Sequence, residues 1–148
     1  MVLKKESIDP APVLNQLVQK FQTLAPEKEF TLLLPPACSP IAADPFHFEQ
    51  VISNLLDNAV KYGGSRIQLA LEQGEGHQIR VEDNGGSLRP EQEKLIFDQF
   101  YRIPKGNLHD VKGFGIGLYY VKKIMEKHGG SVRLQTGPLS TCFTTYWP

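Results

Sequence analysis

The run from Pro45 to Tyr62 constrains this chain more than any other stretch. At about 100° per residue, Phe48, Val51, Ile52, Leu55, Leu56, Ala59 and Val60 fall on one broad arc, which predicts a single amphipathic helix that buries that arc. Asp44 stands where an N-cap belongs, Pro45 takes the first helical position, and Gly63-Gly64-Ser65 ends the helix. Outside the arc, Asn54, Asn58 and Lys61 recur at i, i+4 and i+7 and form a narrow polar stripe. Two amides and an ammonium beside a buried face are the parts of a polar ligand site. Taken alone, such a stripe more often marks a solvated helix face.

The remaining elements follow in order. Ile8 lies in a short first strand broken by Asp9 and Pro10, and Val13, Leu14, Leu17, Val18, Phe21 and Leu24 predict a helix over 12–25. Strands are expected at 30–34 and 41–43, the first stopping at Pro35-Pro36. After the central helix, Ile67, Leu69 and Leu71 alternate as in a half-buried strand, Gly74-Glu75-Gly76 turns the chain, and Ile79, Val81 and Asp83 share one face of the returning strand. Residues 90–96 have helical character, 104–112 read as a mobile loop, and 116–127 form a second strong amphipathic helix closed by Gly129-Gly130. Segments 131–135 and 141–147 form a terminal hairpin around Gly137-Pro138. This order predicts an α+β fold, a two-layer α/β sandwich: a mixed, mostly antiparallel sheet with about three helices on one face.

Composition narrows the partners. The 148 residues suit one domain, and Lys plus Arg equals Asp plus Glu at 16 each, so no basic field invites nucleic acid or an anionic membrane. No apolar run approaches the roughly 18 residues that span a bilayer. The start, Met1-Val2-Leu3-Lys4-Lys5-Glu6, is too short and charged for a signal sequence. Cys38 and Cys142 lack metal-ligand spacing and imply a reducing compartment, so the expected location is cytoplasmic. His47, His77 and His128 are expected at the surface or at helix ends.

Two further stretches carry chemistry. In Val81-Glu82-Asp83-Asn84-Gly85-Gly86-Ser87-Leu88, Asn-Gly is a turn signal, but Asp83 extends the inward face set by Ile79 and Val81. An inward carboxylate needs a partner, for which the amino group of a buried base is one candidate, and the glycines after it let a ligand approach the backbone. Gly113-Phe114-Gly115-Ile116-Gly117-Leu118 opens a helix, where free N–H groups bind phosphate. A loop rather than a strand precedes it and no Gly-Lys-Ser/Thr follows, which excludes a dinucleotide-binding Rossmann unit and a P-loop.

Together these stretches resemble the catalytic ATP-binding domain of bacterial two-component sensor histidine kinases, within the ATPase superfamily that includes gyrase, Hsp90 and MutL (the Bergerat-type ATP-binding fold). The resemblance runs from about Pro12 to Trp147, with 54–62 similar to the N box, 83–88 to the first glycine box, 97–102 to the F box and 113–118 to the second glycine box. It implies Mg²⁺-ATP as ligand, with Asn58 as the Mg²⁺ ligand, Asn54 and Lys61 facing the phosphates, Tyr62 beside the adenine and Asp83 accepting from the adenine amino group. Gly85, Gly113, Gly115, Gly117 and Leu118 would shape the lid and phosphate cradle, and Arg102 would reach the γ-phosphate. Asn54, Lys61 and Arg102 are thus the implied catalytic residues. One position departs from the pattern: Asp-x-Gly-x-Gly would put glycine at 87, where this chain has Ser87.

The resemblance also implies an architecture. The whole chain is one ATP-binding domain, with residues 1–11 as a link to a dimerisation and phosphoacceptor segment and 87–112 as an ATP lid. Superfamily members that hydrolyse ATP or phosphorylate serine carry Glu four residues before the Mg²⁺-binding Asn, as a general base. Here that position is Asn54, so the chain resembles the histidine-kinase branch, whose acceptor imidazole is nucleophilic when neutral. The expected partners are a separate dimerisation domain bearing the acceptor histidine and, through it, a response regulator. Alone, the domain is expected to be monomeric and free of membrane contact, whether or not the full-length protein is anchored. The alternative function is a non-catalytic nucleotide-sensing or partner-docking module with a degenerate site, which Ser87 favours.

Overall fold

A computed structural model of the chain describes residues 2–86, 88–98 and 114–148. Its elements run β1 (Glu6–Ile8), α1 (Pro10–Leu24), β2 (Glu29–Leu33), β3 (Ile41–Ala43), α2 (Pro45–Tyr62), β4 (Arg66–Gln73), β5 (His77–Asp83), α3 (Gln92–Leu95), α4 (Phe114–Lys127), β6 (Ser131–Gly137) and β7 (Ser140–Trp147). Five strands form one sheet in the order β2-β4-β5-β7-β6, with β2 parallel to β4 and every other pairing antiparallel. The long helices α1, α2 and α4 cover one face. The expected mixed α+β sandwich is therefore what forms.

Strand alternation sets the layers. His77, Ile79, Val81 and Asp83 of β5 are buried, while Gln78, Arg80 and Glu82 are half-buried on the helix-free face. Behind them, Leu55, Leu56, Val121, Ile124 and Met125 of α2 and α4 close the core. Trp147 packs its ring 5.0 Å from both Phe48 and His128 and donates its N–H to Thr145 Oγ1 at 2.9 Å. The polar tip of the largest buried side chain is thus satisfied inside the core.

Helix ends follow the capping chemistry. Asp44 accepts from the His47 N–H at 3.2 Å and Asp9 from the Ala11 N–H at 3.3 Å, so α1 begins at Pro10, two residues earlier than its apolar spacing predicts. α4 closes in a Schellman motif: Gly130 N–H donates to Met125 O and Gly129 N–H to Glu126 O, with Gly129 at φ +74°.

Two segments carry contacts of their own, and one expectation needs correction. Within the expected N-terminal link, β1 pairs with β3, Glu6 opposite Ala43, and Lys4 N–H donates to Asp44 Oδ2 at 2.9 Å. Within the expected lid, residues 88 and 96–97 pack against the core. Leu88, Ile96 and Phe97 are buried, Phe97 meets Phe143 edge-on, and Glu93 Oε2 accepts from Thr136 Oγ1 at 2.9 Å. The correction is at His77, which is buried in β5 rather than at the surface; His128 stands at the end of α4 as expected and is buried as well. His77 Nε2 lies 2.8 Å from Ser39 Oγ, while His128 Nδ1 donates to Ile124 O at 2.8 Å and its Nε2 accepts from Asp44 N–H at 3.1 Å.

Candidate functional site

The site forms where α2 ends against the C-terminal end of β5. A narrow cleft there is lined by Asn58, Ala59, Tyr62, Gly63, Asp83, Leu88, Thr141 and Phe143. Three of the residues singled out in the sequence, Asn58, Tyr62 and Asp83, thus share one wall-to-wall space. Asn58 is only 8% exposed, yet its amide has no hydrogen-bond partner among the described residues. A buried amide that opens onto a cleft without a partner fits a neutral oxygen ligand for a hard cation or a donor to an anion.

Among the described residues, Asp83 is held by backbone N–H groups. Its Oδ1 accepts from Gly85 N–H at 2.8 Å and from Gly64 N–H at 3.2 Å. Burial pushes the carboxyl above the ordinary aspartate range, and the two N–H groups, Gly85 first, pull it back, followed by the charge of Lys28. Glycine is required for this approach. A β-carbon on Gly63 would lie 2.5 Å from Asp83 Cγ, and one on Gly85 would lie 2.6 Å from Gly64 N. Thr141 Oγ1 donates to Gly85 O at 2.9 Å and pins the same turn from β7. Gly86 has its own demand, since a β-carbon there would collide with the carbonyl of Pro138.

The other candidates divide. Asn54 donates its amide N–H to Gln50 O at 2.8 Å, which leaves Oδ1 beside Gly117 of α4. Leu118 is buried, and Gly115 and Gly117 both fall within the first two turns of α4. Lys61 lies outside the cleft lining, on the exposed flank of α2, with Asp57 Oδ2 2.8 Å from its ammonium. Arg102 and Gly113, like Ser87 and the loop at 104–112, lie outside the described residues. Sequence reading missed Gly63, Leu88, Thr141 and Phe143. Only Gly63 left a trace, as the glycine after the helix; Thr141 and Phe143 reach the cleft through the β5–β7 register, and Leu88 from the segment after β5. Among the described residues no three His, Cys, Asp or Glu side chains gather as a metal cluster, and no helix is long and apolar enough to cross a membrane.

The family model described as histidine kinase-, DNA gyrase B-, and HSP90-like ATPase matches residues 43–148. The chain belongs to this ATPase family. Within it, the sensor-kinase relatives mark the domain as the catalytic ATP-binding domain of a sensor histidine kinase. Sensor protein RprX of Bacteroides fragilis is 46% identical over 101 residues, covering 65% of this chain and 20% of that protein. Sensor protein KdpD of Escherichia coli is 35% identical over 150 aligned positions, covering 99% of this chain and 16% of that protein. The ATPase domain thus spans about a fifth of the length of these curated relatives. Among solved structures, the mycobacterial sensor histidine kinase MprB superposes with a TM-score of 0.82 at 24% identity, covering 98% of this chain and 97% of that one. Full-length ShkA in complex with AMPPNP superposes at 0.86 and 23% identity, covering 100% of this chain and 32% of that one. These structural matches carry the fold of the ATPase domain.

Proposed function

We propose that the cleft binds Mg²⁺-ATP and that the domain donates the γ-phosphoryl group to a histidine nitrogen on a separate dimerisation domain, from which it passes to a response regulator. The observation that carries this reading is the meeting of Asn58 and Asp83 across one cleft, one offering a neutral amide oxygen and the other a pre-oriented carboxylate. Asp83 accepts from the exocyclic amino group of adenine, while Tyr62, Leu88 and Phe143 supply apolar walls to the base. Asn58 is the residue that would hold Mg²⁺, the other ligands being phosphate oxygens and water. When bound, that ion supplies charge neutralisation on the phosphates.

Lys61 and Arg102 add positive charge at the phosphates. The exposed Lys61–Asp57 pair contributes only about 0–1 kcal/mol, so exchanging Asp57 for phosphate costs little. Asn54 cannot take a proton, which leaves attack to a neutral imidazole that needs no general base at this position. Gly115 falls in the first turn of α4, where backbone N–H groups lack helical partners, and Gly117 follows just after it.

The test is calorimetric titration of the chain with ATP, with and without Mg²⁺. Binding that requires Mg²⁺ is expected, with the Mg²⁺ dependence lost in Asn58→Ala and adenine selectivity weakened in Asp83→Asn. Absence of Mg²⁺-dependent binding at millimolar ATP overturns the reading.

A further inference from the structure

The turn between α1 and β2 reaches the cleft from behind. Lys28 is fixed there by its own backbone: its N–H donates to Ala25 O at 3.0 Å and its carbonyl accepts from Gln22 Nε2 at 2.8 Å. The half-buried side chain then crosses to the end of α2, where its ammonium donates to Gly64 O at 2.8 Å and approaches Gly63 O at 3.4 Å. Gly63 O belongs to the peptide unit whose N–H, on Gly64, donates to Asp83 Oδ1 at 3.2 Å. One peptide therefore joins the ammonium to the carboxylate.

We propose that Lys28 is a positioning residue for recognition of the base: it holds the Gly63-Gly64 peptide with its N–H on Asp83 and sustains that side chain as a charged acceptor. The proposal rests on Asp83 being the base acceptor argued above. Two features carry it. First, neither Gly63 nor Gly64 has a side chain to hold it, so the orientation of their peptide comes from Lys28 on one side and Asp83 on the other. Second, the carboxylate is buried, and burial works against its charge. Among the charged and titratable groups facing it, Glu82 on the same strand works against the charge too, while Tyr62 of α2 lines the same cleft. Glu29 of β2 and Arg66 of β4 border the groove on its helix-free side as an exposed ion pair, which leaves Lys28, among the described residues, as the cation at its back.

A plainer role for Lys28 is capping the last carbonyls of α2, which any donor could do. The two roles separate on charge. Lys28→Gln keeps a donor and removes the charge, Lys28→Met removes both, and Lys28→Arg keeps both. The Asp83 carboxyl is titrated by ¹³C NMR in each, its resonance assigned by its loss in Asp83→Asn, and ATP affinity is measured from pH 5 to pH 8. In Lys28→Gln and Lys28→Met the Asp83 titration is expected to rise by about one pH unit. The acid limb of ATP binding should move with it, and Lys28→Arg should restore both. An Asp83 titration unchanged in whichever of the Gln and Met variants folds, or a full effect in Lys28→Arg, overturns the proposal. If Asp83 shifts as expected but ATP does not bind, the positioning role stands and the nucleotide reading fails.

Discussion

Gly117 of α4 lies against Asn54 of α2, so close that a β-carbon at 117 would fall 2.9 Å from Asn54 Oδ1. Alanine inside a helix is ordinarily favoured over glycine by about 1 kcal/mol. Here that gain is set against displacement of an amide whose other end is tied to Gln50 O. Gly117→Ala is therefore expected to leave the thermal midpoint within a few degrees of the wild type while lowering ATP affinity by about tenfold, equivalent to about 1.4 kcal/mol. Calorimetry alongside thermal unfolding separates the two effects. A variant that binds ATP as the wild type does would show that Asn54 and Gly117 do not jointly border the phosphates.

His128 gives the fold a dependence on pH. Its ring donates to Ile124 O and accepts from Asp44 N–H, an arrangement only the neutral ring can make. Burial holds its pKa below the ordinary imidazole range. Above about pH 6.5 the ring is neutral in both folded and unfolded chains, so nothing is lost there. As pH falls below that point the unfolded chain takes up a proton that the folded chain resists, and stability declines until the folded pKa is passed. One proton limits the slope to about 1.4 kcal/mol per pH unit. Asp44, held below the usual carboxylate range chiefly by Lys4 N–H, loses its contribution only at more acid pH. Urea unfolding between pH 7.5 and 5.5 should show a shallower decline in His128→Gln than in the wild type. Equal slopes would assign the decline to other groups.

What the sequence could reveal depended on distance along the chain. α2 was legible because its cap, its apolar arc and its terminal glycine are all local, and Asp83 was legible because period-two alternation placed it inward beside Ile79 and Val81. The strand at 6–8 was visible but its role was not, because its partner is β3 and no local pattern reports pairing across some 35 residues. His128 looked like a helix-end residue and is one; its burial comes from Trp147 and Asp44, which arrive from distant segments. The first glycine box was half legible. A glycine expectation at 87 came from a family pattern, whereas the steric demand at Gly86 comes from Pro138 in the β6–β7 turn. Phe97 and Leu88 fall in the expected lid by position, while their burial depends on contacts with Phe143 and its neighbours, which arrive from distant segments.

Asn54→Glu tests the distinction between phosphorylating histidine and hydrolysing ATP. The amide N–H that now reaches Gln50 O would be gone, and a carboxylate would stand one turn before Asn58, beside Gly117. A carboxylate there can take a proton from water, and positioned general bases contribute typically about 10²–10⁴-fold. Because the variant lacks the rest of a hydrolase site, a smaller rise in phosphate release, about tenfold, is the expected outcome. Transfer to a histidine should not improve, since a neutral imidazole has no proton on its attacking nitrogen to give up. Phosphate release and phosphohistidine formation, measured side by side with a supplied phosphoacceptor domain, decide the matter. Unchanged hydrolysis in a variant that still binds Mg²⁺-ATP would place residue 54 away from the γ-phosphate and overturn its assigned role.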